Sequence, residues 1–181
     1  CGLACATMIL RALTRPAEER KGGKSIPASS GSVDLSLAGM HAQYPGESVW
    51  TIDVAFILRS FGASVRFLTM YPGINPVYRE SEWYKDAIPN DEKRVMKRFA
   101  EATRNGIAVE KSETPTAEFL SLMKDNKYFL IVLVDRTQLM CSQCARATPE
   151  LIARYHEAQK KEDAFIGHFV VVTRITRADS K

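Results

Sequence analysis

The feature that most constrains the fold is an apolar run at residues 127–135, "KYFLIVLVD". It holds six consecutive apolar residues within nine, which is typical of a strand buried in the centre of a sheet. Shorter segments with strand character occur at 64–70, 107–112 and 167–176. Helical patterns occur at 1–13, 48–62, 90–106, 114–126 and 148–163. Helices that come first, followed by strands interleaved with helices, predict an α+β fold class.

Length and composition predict one globular domain. The chain has 181 residues, of which 45% are hydrophobic and 25% charged, and no apolar run is long enough to predict a membrane span. A net charge of +4 dispersed along the chain predicts no nucleic-acid partner. A stretch rich in Gly, Ser and Pro at 14–36 predicts a flexible insertion. Because residue 1 is not methionine, we expect flanking segments before residue 1 and after residue 181.

Four cysteines occur as two close pairs, Cys1 with Cys5 and Cys141 with Cys144. Disulfide frameworks of secreted proteins usually join distant segments, so this spacing predicts a reducing, cytoplasmic location. Cysteine pairs in that compartment serve metal binding, redox chemistry or catalysis, and free structural cysteine is the plain alternative.

Cys1 stands at the start of the first predicted helix. A helix amino terminus stabilises a thiolate, which makes Cys1 a candidate nucleophile rather than only a small buried side chain. A nucleophilic thiol needs a base, and of three histidines His168 has the most rigid setting, between a glycine and the apolar strand "FVVV". A histidine at a strand start is more often structural when it stands alone. The sequence therefore predicts a Cys1 and His168 pair and leaves the structural alternative open.

Cys141 and Cys144 form a CxxC motif, and His156 follows twelve residues after Cys144. This spacing resembles half of a structural zinc site, and it also suits a redox pair or two reduced loop cysteines. A complete tetrahedral site would need a distant fourth ligand. A separate aromatic segment contains Tyr78, Trp83 and Tyr84 within "YRESEWYKD". Such residues line a substrate groove or, more often, pack a loop.

Three segments carry a resemblance to a known family: "CGLAC", "VWTIDVAFILRSFGASVRFLT" and "GHFVVV". Together they resemble the eukaryotic guanylyl cyclase domain-containing family, which is similar to bacteriocin-processing, papain-like cysteine peptidases. The resemblance implies a papain-like fold, in which a helical amino-terminal part packs on an antiparallel sheet. It also implies that Cys1 is the nucleophile and that His168 is the base.

The main functional expectation from this resemblance is a papain-like thiol hydrolase that cleaves amide bonds of a peptide or protein substrate and requires no cofactor. Such peptidases place a glutamine before the nucleophile and an Asp-Pro or Asn-Pro after the histidine strand, and neither is found in this chain, where Asp179 lacks the proline. We therefore expect the isolated chain to be a weak or inactive hydrolase.

Two alternatives stay open. The family name suggests a guanylyl cyclase that converts GTP to cyclic GMP with Mg²⁺ or Mn²⁺ held by carboxylates. Asp53 is one available acid, although its place in a first helical turn is already explained by the helix dipole. The other alternative is a catalytically silent module that binds a protein partner.

Overall fold

The computed structural model describes residues 1–14, 34–45, 48–80, 84, 86–114, 116–124, 128–136, 139, 165 and 167–172. The helices are α1 (Gly2–Thr14), α2 (Leu37–Gln43), α3 (Thr51–Ser60), α4 (Ile88–Glu101) and α5 (Thr116–Lys124). The strands are β1 (Val65–Thr69), β2 (Ile107–Lys111), β3 (Leu130–Asp135) and β4 (Gly167–Val172). The predicted helix at 148–163 and most of the predicted insertion lie outside the described residues, and α2 begins at the carboxyl end of that insertion.

Helix α1 confirms the prediction for residues 1–13, because its apolar residues recur at helical spacing. Leu3, Ala6 and Leu10 are all buried on one face, which packs against α3 and β4. Gly2 is the point of closest approach, since a Cβ atom built there would lie 2.8 Å from Val49 Cγ1 and 3.3 Å from the Phe169 ring. A glycine therefore lets the start of α1 lie directly against its neighbours.

The sequence at 48–62 predicts Thr51 as the cap of its helix, whereas α3 already begins at Thr51. The capping residue is Trp50 rather than Thr51, because the Asp53 carboxylate reaches back and accepts a hydrogen bond from the Trp50 backbone N–H at 2.8 Å. At the other end Gly62 adopts a left-handed φ of 86°, which stops the helix as its sequence predicts.

The four strands form two separate pairs among the described residues. β1 pairs with β2 in parallel, with Val65 opposite Ile107. β3 pairs with β4 in antiparallel register, with Leu133 opposite Phe169. The expectation of an antiparallel sheet against the amino-terminal helices therefore holds for β3 and β4, on which α1 packs. It is wrong for β1 and β2, which are parallel. The connection through α4 brings the chain back to the end of the strand pair at which β1 begins. The papain-like fold itself stays a prediction.

Helix α3 separates two apolar clusters. Val54 and Ile57 pack with α1, α2 and β4, while Ile52 and Ala55 pack with α4 and β2. A helix that is buried on both sides in this way fixes the positions of the elements around it. None of the helices in the described part of the chain is long and apolar enough to cross a membrane.

Candidate functional site

An open cleft of about 2110 Å³ runs from the amino terminus of α1 along β1 to β3. One end is walled by aromatic rings, and we call it the aromatic end. Its residues are Cys1, Trp50, Tyr78, Tyr84, Phe165 and Gly167. Concave sites with apolar walls and a few polar atoms are the usual places for small ligands. This end therefore is the best candidate site in the described structure.

Three rings of the aromatic end are stacked on one another. Tyr78 stacks on Tyr84 with centroids 4.9 Å apart and on Phe165 with centroids 5.5 Å apart. Trp50 meets Tyr84 and Tyr78 in tilted contacts, with centroids 5.9 and 6.5 Å away. Tyr78 and Tyr84 therefore both line the cleft, while Trp83 lies outside the described residues. That these residues form a substrate groove stays a prediction.

Tyr84 ties this cluster to the start of β4. Its phenol oxygen accepts a hydrogen bond from the Gly167 backbone N–H at 2.9 Å. Burial raises the pKa of the Tyr84 phenol; the bond from Gly167 opposes this effect and the Asp135 carboxylate adds to it. Burial likewise raises the pKa of Tyr78. Both phenols are therefore neutral at physiological pH and present hydroxyl groups rather than charges.

Trp50 is held by two carboxylates. Its indole N–H donates to Asp91 Oδ2 at 2.8 Å, and its backbone N–H donates to Asp53. Asp91 is buried and also accepts a hydrogen bond from the Ser48 hydroxyl. The position of the indole ring is therefore fixed at both its backbone and its side chain.

Two arginines of α4 neutralise those carboxylates. Arg94 forms ion pairs with both Asp53 and Asp91, and Arg98 forms an ion pair with Asp53. Asp53 is almost fully buried, with 2% of its surface exposed. Buried carboxylates need such partners, since an unpaired charge in a protein interior is costly. This network joins α3 to α4.

Cys1 and the strand that carries His168 lie side by side. The Phe169 backbone N–H donates to Cys1 Sγ at 3.5 Å, and Cys1 is exposed. Phe169 packs into the core beside α1, and successive strand residues point to opposite faces. The His168 side chain therefore lies on the other face of the strand pair, and within the described residues no hydrogen bond joins it to Cys1.

The remaining cysteines and the histidine of the predicted zinc site are either buried or lie outside the described residues. Cys5 is buried, and this burial raises the pKa of its thiol. Cys141, Cys144 and His156, the residues of the predicted zinc site, lie outside the described residues. Across the part of the chain that is described, no group of three or more His, Cys, Asp or Glu residues could hold a metal ion.

Comparison with known proteins shows to which family the chain belongs. The family model described as guanylylate cyclase matches residues 1–181. The chain belongs to this family. It is also similar to "Guanylyl cyclase 1" of Arabidopsis thaliana, with 29% identity over 172 residues that make up 95% of this chain and 54% of the relative. The chain thus spans about half the length of the curated relative it matches. No solved structure matches it.

The guanylylate cyclase match confirms the resemblance to the guanylyl cyclase domain-containing family and overturns the main functional expectation. The thiol hydrolase was wrong, because the family model and the relative both carry a cyclase description. The roles of Cys1 as nucleophile and of His168 as base were parts of the hydrolase hypothesis, so they are not proposed again. The peptide or protein substrate was inferred from the hydrolase hypothesis, and it stays a prediction.

Sequence reasoning missed the residues that hold Trp50. Asp53 was attributed to the helix dipole, whereas its ion pairs come from α4, 41 and 45 residues away. The sequence "NDEKRVMKRFAEATRNG" at 90–106 predicts Asn90 or Asp91 as the cap of α4, but α4 begins at Ile88 with a proline in its first turn. A signal was present in the spacing of Arg94 and Arg98, which places two cations on one helix face.

Proposed function

We propose that this chain is part of a guanylyl cyclase that converts GTP to cyclic GMP. The single observation that carries the proposal is the family match over residues 1–181. The relative named "Guanylyl cyclase 1" supports it. The close spacing within each cysteine pair supports a cytoplasmic location for the protein.

The reaction is an intramolecular phosphoryl transfer. The ribose 3′-oxygen of GTP attacks the α-phosphorus, the bond between that phosphorus and the bridging oxygen to the β-phosphate breaks, and pyrophosphate leaves. The 3′-hydroxyl proton is lost to a base or to water. Positioning is a large part of such catalysis, because the attacking oxygen and the leaving group must be in line.

The aromatic end of the cleft has the chemistry to take the guanine base. Aromatic side chains bind bases by stacking, and each stacked base contributes roughly 1–3 kcal/mol. Tyr78 and Tyr84 are neutral and add hydroxyl groups beside the rings. Cys1 lines the same cleft. These features support a binding site for a planar ring that carries polar groups on its edge.

Cyclisation of a nucleoside triphosphate generally uses a divalent cation to neutralise phosphate charge. The two carboxylates that hold Trp50 do not fit such an ion, because Asp53 and Asp91 are already neutralised by arginines. Farther along the cleft, Glu110 is engaged by Arg66. We therefore derive no step through a metal from the described residues.

The proposal is tested by incubating the full chain with GTP and Mg²⁺ or Mn²⁺ and measuring cyclic GMP by mass spectrometry. Pyrophosphate should appear in equal amount, and 3′-deoxy-GTP should give no cyclic product. Tyr78→Leu removes the ring that packs between Tyr84 and Phe165 and should reduce the rate on the order of tenfold, because the aromatic end loses its central support.

Met8→Ala is the control for that variant, because Met8 is an exposed apolar residue that does not line the cleft. Its rate should equal that of the unmodified chain. Absence of cyclic GMP with either metal would contradict the proposal and favour the catalytically silent binding module.

A further inference from the structure

Trp50 differs from the other rings of the aromatic end in what covers its faces. Tyr78 stacks on two partners, Tyr84 and Phe165, at interplanar angles of 26° and 16°. The contacts of Trp50 with Tyr84 and Tyr78 are tilted by 42° and 45°. Among the described residues, no aromatic ring lies parallel to the indole. Within the described part of this cluster, Tyr84 and Phe165 each have one parallel partner. Trp50 has none and can accept a further stacked ring.

The indole is also the ring that is held most firmly. Its N–H group bonds to Asp91, its backbone N–H bonds to Asp53, and Arg94 bridges the two carboxylates. Preorganised side chains bind with a smaller loss of conformational entropy than mobile ones. A fixed ring that borders a cleft suits recognition of a flat ligand.

We propose that Trp50 is the residue on which the guanine base stacks, and that Asp91 is a positioning residue that sets the plane of the indole through its N–H group. The ligand class is a purine nucleoside or nucleotide. This inference rests on the proposed cyclase function for the choice of base, while the stacking geometry is independent of the chemical step.

The first test uses the fluorescence of Trp50. The chain has two tryptophans, so Trp83→Phe leaves Trp50 as the only one. Guanosine, which lacks phosphates, is the probe. We expect guanosine to quench the Trp50 emission in a saturable way. Unchanged emission at saturating guanosine would overturn the inference, even if cyclic GMP is formed.

The second test measures guanosine affinity by calorimetry. It separates the contribution of the indole ring to binding from the contribution of its N–H group. Trp50→Leu removes the ring and should weaken binding on the order of tenfold, whereas Trp50→Phe keeps a ring and should lose less. Met8→Ala, the exposed control outside the cleft, should bind normally. Equal affinity of Trp50→Leu and the unmodified chain would overturn the stacking role.

The positioning role of Asp91 is tested in two backgrounds. Asp91→Ala, which removes the acceptor of the indole N–H bond, should weaken guanosine binding several-fold when Trp50 is present and should have little effect in Trp50→Phe, which has no indole N–H to orient. A purely structural role would give the same loss in both backgrounds and would overturn the positioning role.

The outcomes distinguish this inference from the proposed function. Cyclic GMP formation with guanosine binding that is insensitive to Trp50→Leu would leave the cyclase standing and overturn the stacking role. Binding that depends on Trp50 without cyclic GMP formation would support the nucleoside site and overturn the cyclase.

Discussion

The phenol oxygen of Tyr84 lies 2.9 Å from the Gly167 backbone nitrogen and accepts its hydrogen bond. Gly167 is opposite Asp135 at the end of the β3 and β4 pair. A side chain from the segment before α4 thus holds a strand that begins more than eighty residues later. The bond joins the aromatic end of the cleft to the antiparallel strands, and its removal has measurable consequences.

Tyr84→Phe removes this bond and leaves the Gly167 N–H unsatisfied. We expect the free energy of unfolding to fall by about 1 to 2 kcal/mol, because the ring is kept and only the polar contact is lost. Urea denaturation at neutral pH measures the difference. Tyr71→Phe serves as control, since its phenol is exposed, and it should change stability by less than about 0.5 kcal/mol.

Tyr84 should also make stability sensitive to alkaline pH. Because burial raises the pKa of its phenol in the folded chain, the folded state holds this proton more tightly than the unfolded state. The stabilising effect is complete below the unfolded value of about 10 and is lost as the pH rises through the folded value. Urea denaturation between pH 8 and 11 should show a smaller alkaline loss in Tyr84→Phe than in the unmodified chain. If the stability of the two chains fell equally with rising pH, the raised pKa of Tyr84 would be contradicted.

Asp53→Ala should be strongly destabilising, by about 3 to 5 kcal/mol, because it leaves Arg94 and Arg98 without their shared buried carboxylate. The exposed pair of Arg79 and Glu92 provides the contrast. Glu92→Ala should cost less than about 1 kcal/mol, since exposed ion pairs contribute little. Equal losses in urea denaturation would show that the buried network is not stabilising α3 against α4.

Gly2→Ala should destabilise the chain by about 1 to 3 kcal/mol, because the new methyl group would meet Val49 at 2.8 Å and Val54 at 3.2 Å. Thermal unfolding measures the loss. Val49→Ala creates room at the same point, so the double variant should recover part of it. Losses that simply add in the double variant would mean that the close approach of Gly2 and Val49 is not the cause.

Alkylation should separate the two cysteines of α1. Cys1 is exposed, whereas Cys5 is buried and has a raised thiol pKa, so less of Cys5 is the reactive thiolate at a given pH. Iodoacetamide at pH 8, followed by peptide mass spectrometry, should label Cys1 many times faster. The difference should vanish in denaturant. Equal rates in the folded chain would contradict the burial of Cys5.

The helices and strands with strong local patterns could be predicted from sequence. Leu3, Ala6 and Leu10 recur at helical spacing, and the apolar run around β3 is long enough to indicate a strand by itself. Helix α2 follows directly after the insertion predicted at 14–36 and is too short to show a helical pattern, so that only Ser36 as its cap gave a signal. Caps were less predictable, because the cap at Trp50 depends on the Asp53 side chain.

The site could be predicted only in part. Tyr78 and Tyr84 stand in a visible aromatic segment, and both line the cleft. The link between Trp50 and Asp91 joins residues that are 41 positions apart, and no local pattern reports such a contact. The residues that organise the candidate site are therefore those whose chemistry depends on tertiary structure.

Both strand pairs join segments that lie roughly forty residues apart in sequence, and this spacing bears on how the molecule is made. A growing chain on the ribosome exposes the apolar β1 strand well before its partner β2 has been synthesised, and β3 likewise waits for β4. Helices α1 and α3 can pack on each other in the meantime. Slow translation across 70–106 would therefore lengthen the period in which an unpaired strand edge is open to aggregation.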